Sequence, residues 1–313
     1  MRILFMGTPD FALFSLKALV ESGEDVIGVV TQPDKPKGRG YTLMPPPVKV
    51  YALEQGIPVY QPASLKGEEF ATLLSELDPE LIVVVAFGKI LPKNVLDYPK
   101  HGCINVHGSL LPAYRGAAPM QRAIIDGCTV TGITTMYMDV GLDTGDMLLT
   151  DEVMIDENDN FEDMHDRLGA VGAGTLLRTV AALKEGTLVP QKQDASKATY
   201  AAKIEKEDCM LNFSRPAKSL HDQVRGLSPI PLAFTHTPDG KLLKVLASRV
   251  SAVTCPDDAP TGTVISLEGG VITVACGEKT ALDLLRVLPE GKGRMEAADF
   301  IRGRKISVGD LLS

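Results

Sequence analysis

The chain has 313 residues, 44% of them hydrophobic and 23% charged, with a formal net charge of −8. That length suits two domains rather than one, and the composition is that of a soluble globular protein with apolar material for a large core. No stretch approaches the ~18 apolar residues needed to span a membrane, and the run Arg2–Met6 is too short for a signal h-region. The five cysteines are scattered without a C-x-x-C pair and read as reduced, structural thiols in a cytoplasmic protein. The five histidines show no metal-ligand spacing, so no metal is expected.

The first half alternates short apolar runs with helical patterns. Arg2–Met6 reads as a strand, Phe11–Glu21 as a helix opened by Pro9-Asp10, and Val26–Val30 as a second strand. Val48–Glu54 is helical and ends at Gly56. Leu81–Ala86 (LIVVVA) is a β-branched run of the buried parallel type. Cys103–His107 and Gly132–Asp139 follow as further strands. Asn160–Glu185 is the longest helix, its apolar residues recurring at three and four, with Asp159 or Asn160 as its cap and Gly186 at its end. Past a polar stretch, Ala217–Val224 reads as a helix. Short strand-like runs follow at 232–235, 242–246, 262–266, 271–275 and 281–288, with Gly269-Gly270 as a hairpin turn. The fold class is therefore α/β: a Rossmann-like, doubly wound, mostly parallel sheet, followed by a small OB-like β-barrel. The expected division is 1–188, a linker at 189–207, and 208–313.

The first turn argues against a nucleotide. Gly7-Thr8-Pro9-Asp10-Phe11 has one glycine and no G-x-G-x-x-G, and Asp10 would meet a pyrophosphate with negative charge. The second strand ends at Thr31-Gln32 without the acidic residue expected for a ribose. No P-loop motif occurs.

Chemistry gathers instead at Asn105-Val106-His107. Residues i and i+2 of a strand face the same way, so an amide and an imidazole project together. The segment Asp139-Val140-Gly141-Leu142-Asp143-Thr144-Gly145-Asp146 makes a tight loop from which one carboxylate can reach His107. Acyl transfer to an amine needs a donor for the developing oxyanion and a group that moves the amine proton. Asn105, His107 and Asp143 can supply both. A packed polar pair and an ordinary turn are the alternative readings of the same residues. No serine or cysteine with an obvious base stands out, which favours direct transfer over a covalent intermediate.

At these residues the chain resembles the 10-formyltetrahydrofolate-dependent formyltransferases. The resemblance lies in Asn105–Pro112 (NVHGSLLP) and Gly141–Asp146 (GLDTGD). It tightens toward the members acting on initiator methionyl-tRNA through Phe5–Ala12, Thr31–Gly40, Met44–Lys49 and Tyr114–Pro119. It implies that the α-amino group of tRNA-borne methionine attacks the formyl carbon, with Asn105 and His107 stabilising the tetrahedral intermediate and Asp143 tuning His107. It also implies that Ser109, Leu110, Leu111 and Pro112 border the folate, and that Phe87, Gly88 and Leu91 belong to a loop beside the pterin. Lys35, Lys37 and Arg39, in the loop at 32–44, are the implied tRNA contacts, and the protein is implied to be a monomer. A solvated surface loop is the alternative reading of those cations. Glycinamide ribonucleotide or an amino sugar nucleotide is the alternative acceptor.

Two features of the carboxy-terminal part stand out. Residues 1–205 hold 18 Lys and Arg against 27 Asp and Glu, and residues 206–313 hold 14 against 13, so −9 sits beside +1. The resemblance implies a second domain lying along the anionic acceptor arm, which this asymmetry fits; ordinary variation between small domains is the alternative reading. The chain has no tryptophan, and Leu232 stands where the family usually has a glycine.

Overall fold

Strands covered on both faces need continuous apolar runs. Leu81–Val85 meets that demand with five buried residues and forms the middle strand of a seven-stranded sheet. The computed structural model describes residues 1–37 and 42–313, with Lys37 and Thr42 by backbone alone. In chain order its first elements are β1 (Arg2–Gly7), α1 (Asp10–Glu21), β2 (Asp25–Val30), β3 (Lys35–Lys37), β4 (Thr42–Met44), α2 (Pro47–Glu54), β5 (Val59–Tyr60), α3 (Glu68–Leu77), β6 (Leu81–Val85), α4 (Lys93–Leu96) and β7 (Cys103–His107). Then come α5 (Pro119–Ile125), β8 (Val130–Tyr137), β9 (Met147–Met154) and α6 (Phe161–Glu185). The sheet runs β9-β8-β7-β6-β1-β2-β5. Its five strands from β7 to β5 are parallel, while β8 is antiparallel to β7. The mostly parallel sheet expected from the sequence is therefore present, with an antiparallel side.

α6 begins where the sequence places it. Asn160 Oδ1 accepts from the backbone N–H of Glu162 at 2.7 Å and Asp163 at 3.2 Å, and Asp163 Oδ2 accepts from Asn160 N–H at 3.0 Å. This reciprocal cap satisfies amides that a helix start otherwise leaves open. Gly186 ends the helix at φ 69°. No helix among the described residues is long and apolar enough to cross a membrane.

The chain divides into two compact units that do not split it at one point. One holds Met1–Gly116, Thr131–Val153 and His165–Tyr200; the other holds Ala117–Val130, Met154–Met164 and Ala201–Ser313. In the second unit α7 (Ala217–Leu227) packs on α5. Gly226 allows the close approach, since a Cβ there would lie 2.7 Å from Ile125. Buried Asp222 and Arg225 pair at 2.8 Å, and Arg225 donates to the Asp159 carbonyl at 3.0 Å. Burial pushes the neighbouring His221 below the usual histidine range.

The remaining elements are β10 (Ala233–His236), β11 (Leu242–Val250), β12 (Val264–Ser266), β13 (Ile272–Ala275), β14 (Ala281–Pro289), β15 (Met295–Glu296) and α8 (Ala297–Arg302). They form an antiparallel sheet in the order β10-β11-β14-β13-β12, with β15 on β14. Gly269 and Gly270, both at positive φ, turn the chain between β12 and β13 as expected. The small β-domain expected from the sequence is a half-barrel. The tail bridges its edges: His236 N–H donates to Ser313 O at 2.7 Å, and Val264 N–H to Asp310 O at 2.8 Å.

Leu232, just before β10, sits at φ 78° and is almost fully buried. The conformation is one that favours glycine, yet leucine holds it here. Left-handed backbone costs a non-glycine residue ~1–2 kcal/mol, whereas losing a buried leucine side chain costs on the order of 2–5 kcal/mol. The centres of these ranges differ by roughly 2 kcal/mol, so Leu232→Gly is expected to lower the Tm by about 4–8 °C. A raised Tm in a thermal melt would show that strain outweighs burial.

Candidate active site

The carboxyl ends of β1, β2, β6 and β7 lie along one edge of the parallel part of the sheet, where open α/β sheets bind ligands. β7 places Asn105 opposite Met136 and His107 opposite Thr134 of β8. Asn105 is partly exposed, and its amide makes no hydrogen bond to another protein group among the described residues. His107 is buried, at 5% exposure. Its Nε2 lies 2.9 Å from the Tyr114 carbonyl. A carbonyl only accepts, so that nitrogen donates, and Nδ1 is left to face the Asp143 carboxylate at 3.8 Å.

The sequence puts Asp143 in a loop after a strand but does not show the path of that loop. Because β8 is antiparallel to β7, it ends with Tyr137 beside Ile104, at the start of β7. The loop must fold back along β7 to bring Asp143 to His107. Its turns are close: Gly141 N–H and the Thr144 hydroxyl both donate to Asp139 Oδ1, at 2.9 and 2.6 Å. A Cβ on Gly145 would sit 1.8 Å from the Tyr137 carbonyl, so only glycine fits. Asp143 itself has φ 51°, and its Oδ2 accepts from Gly116 N–H at 2.8 Å.

The segment after β7 is pinned by Thr134. The Thr134 hydroxyl donates to Ser109 O at 2.7 Å and accepts from Leu111 N–H at 3.1 Å. Ser109 is fully buried and its hydroxyl donates to Ala113 O at 2.7 Å, so it shapes the segment from within. Leu111 is buried, while Leu110 and Pro112 are half-buried. The loop after β6 buries Phe87 and Leu91 in the core and exposes Gly88 and Ile90, the latter at 89%. Gln32 Nε2 donates to Phe87 O at 3.0 Å, tying this loop to the residues after β2.

Lys35 is exposed on the β3–β4 hairpin, in which Lys35 pairs with Met44. Arg39 and the side chain of Lys37 lie outside the described residues. The base of the hairpin is braced by Asp34, which takes Lys49 at 2.9 Å and Gln61 at 2.8 Å. These two donors hold the Asp34 carboxyl below the usual carboxylate range.

Three partners of the site were not singled out by role from the sequence: Arg115, Gly116 and Gln193. Arg115-Gly116 lies in a motif that matched the family, but nothing local marks Gln193. The described cysteines form no disulfide, and burial, aided by Asp97, pushes the Cys103 thiol up to about 12. No cluster of metal-ligating residues occurs among the described residues.

A Rossmann-like sheet with an amide, an imidazole and a carboxylate gathered over one strand defines a class. Residues 1–180 match the family model described as formyl transferase, and residues 203–305 the formyl transferase C-terminal domain. The chain is 50% identical over 311 residues to a methionyl-tRNA formyltransferase of Bacillus subtilis (strain 168), covering 99% of this chain and 97% of that one. It is 49% identical over 310 residues to one from Geotalea daltonii, covering 99% and 97%. Among solved structures, the sugar 3N-formyl transferase WlaRD, determined with dTDP and 5-N-formyl-THF, superposes with a TM-score of 0.66 at 17% identity, over 94% of this chain and 99% of that one. A methionyl-tRNA formyltransferase from Clostridium thermocellum superposes at 0.55 with 19% identity, over 81% and 94%. At such identities these structures speak for the fold. The chain belongs to the formyl transferases and, within them, to the methionyl-tRNA formyltransferase family.

Proposed function

We propose that the protein transfers a formyl group from 10-formyltetrahydrofolate to the α-amino group of methionine on initiator methionyl-tRNA, acting as a cytoplasmic monomer in the initiation of protein synthesis. The observation that carries this reading is the unpaired Asn105 amide beside a buried His107 whose Nδ1 faces Asp143. Near-full-length relatives at about half identity bear that activity in their names.

The chemistry follows from the geometry. As the amine adds to the formyl carbon, negative charge develops on the formyl oxygen. Asn105 offers a donor for it that no protein group among the described residues occupies. The Tyr114 carbonyl holds His107 Nε2 as a donor, so proton exchange falls to Nδ1, directly or through a water. An α-amino group has a pKa of about 8, so it must shed a proton to attack. Asp143 beside Nδ1 stabilises the cation that forms when the ring takes the proton; the intermediate then collapses by breaking the formyl carbon–N10 bond, and that proton passes to the departing folate nitrogen.

The donor is borne by the loops after β6 and β7. Gly88, Leu110 and Pro112 offer accessible surface for it, Phe87, Leu91 and Leu111 support that surface from the core, and Ser109 acts through its backbone. The family's formyl carrier needs an apolar cleft edge for its ring, and these residue types fit it. We assign 1–188 to catalysis, 189–207 to a link and 208–313 to tRNA binding. Lys35, Lys37 and Arg39 would meet acceptor-stem phosphates. Replacing Lys37 and Arg39 by alanine is expected to weaken tRNA binding and flatten log K against log salt by about 0.7–0.9 per lost phosphate contact. An unchanged slope in filter binding would return the loop to an ordinary solvated surface. The function itself is tested by assaying charged initiator tRNA against small amines with the folate donor. Reaction with small amines alone would overturn it.

A further inference from the structure

We propose that Gln193 is a positioning residue for Asp143, fastening the active-site loop to Arg115. The inference rests on the reading of Asp143 as the partner of His107.

Asp143 occupies left-handed backbone, which aspartate adopts more readily than most residues but still at a cost. Asp139 ties the loop through Gly141 and Thr144, and neither bond touches Asp143. Gln193 does touch it. Its Nε2 donates to Asp143 O at 2.9 Å and to Gly145 O at 2.7 Å, bracketing the residue on both sides. Its Oε1 accepts from Arg115 Nε at 3.0 Å and Nη2 at 2.7 Å.

This arrangement works in one sense only. A guanidinium has no acceptor and a carbonyl has no donor. The amide oxygen must therefore face Arg115, and the amide NH2 must face the loop. Arg115 is buried, and its backbone N–H is fixed by Thr199 O at 2.9 Å. The next residue, Gly116, supplies the N–H that holds Asp143 Oδ2. Arg115-Gly116 and Gln193 thus grip Asp143 by its side chain and its backbone together.

Gln193 could instead serve only to satisfy a buried arginine. Gln193→Glu separates the two roles. The glutamate keeps the shape and satisfies Arg115 with a full charge, but its second oxygen then confronts two carbonyl oxygens. A purely structural glutamine predicts a stable and fully active variant. Positioning predicts a stable variant with a displaced loop.

The test compares wild type, Gln193→Glu and Gln193→Ala by steady-state kinetics, thermal melting and amide hydrogen exchange. A misplacement of ~1 Å at a reacting group costs on the order of 10²-fold, so kcat in Gln193→Glu should fall roughly 10–100-fold. KM for both substrates should stay within about twofold, with the Tm near wild type, and Gly116 amide protection should fall by about tenfold, as expected when its acceptor moves away. Wild-type kcat and wild-type Gly116 protection in Gln193→Glu would overturn the proposal. Gly116 exchange decides the positioning claim without any turnover, so a wild-type protein that fails to formylate methionyl-tRNA would refute the functional reading separately.

Discussion

His107→Ala is expected to lower kcat by about 10³–10⁴, because general acid–base catalysis contributes on the order of 10²–10⁴ and the proposed mechanism asks that role of the ring. The variant removes the nitrogen facing Asp143 at 3.8 Å and leaves that carboxylate without a cation to stabilise. It also removes the hydrogen bond that the ring gives the Tyr114 carbonyl. Binding of tRNA should change by less than about twofold, since the proposed reading rests it on the cations of the loop at 32–44 rather than on β7. His107→Gln separates the chemistry from the packing: it fills much of the same space and can still donate to Tyr114, but it takes no proton. Single-turnover formylation and filter binding on both variants provide the check. Activity within tenfold of wild type in either would remove His107 from the mechanism.

Much of the fold was legible because its signals are local. LIVVVA at 81–86 reads as a buried strand by composition alone, and Leu81–Val85 is one; the Asn160 cap with the apolar spacing behind it gives α6 almost to the residue. Asn105 and His107 share a face because strands have a period of two. The rest depends on pairing at long range. The strand before Asp143 reads the same whether it runs parallel or antiparallel to β7, so the fold-back of its loop could not be seen. Nor could the role of Gln193, which lies in a polar stretch expected as a linker yet binds residues 78, 50 and 48 positions away. The same limit applies to segments 117–130 and 154–164, which pack with the second compact unit through contacts no periodicity encodes. Ser109 shows a further limit. A family motif marks the segment as bordering a ligand, but burial decides that its hydroxyl serves the Ala113 carbonyl.

Asn105→Ala is expected to lower kcat by about 10²–10³, the usual loss when one oxyanion donor is removed. The size of this effect rests on an unusual property of the residue. Every other polar side chain named in the site holds a protein partner: His107 the Tyr114 carbonyl, Asp143 the Gly116 amide, Ser109 the Ala113 carbonyl. Removing any of them mixes a chemical loss with a structural one. Asn105 holds none among the described residues and is partly exposed on a strand whose backbone is paired with β6 and β8. Truncation should leave the Tm within about 2 °C, the range of substitutions that break no buried interaction. It should also leave KM for both substrates nearly unchanged, because a donor used mainly in the transition state lowers kcat and kcat/KM together. Asn105→Asp sharpens the point, since it keeps the shape while replacing the donor with an acceptor, and it should be no more active than the alanine variant. Steady-state kinetics beside a thermal melt distinguish the cases. A raised KM with unchanged kcat would make Asn105 a ground-state binding residue, and the oxyanion would then need its donor elsewhere.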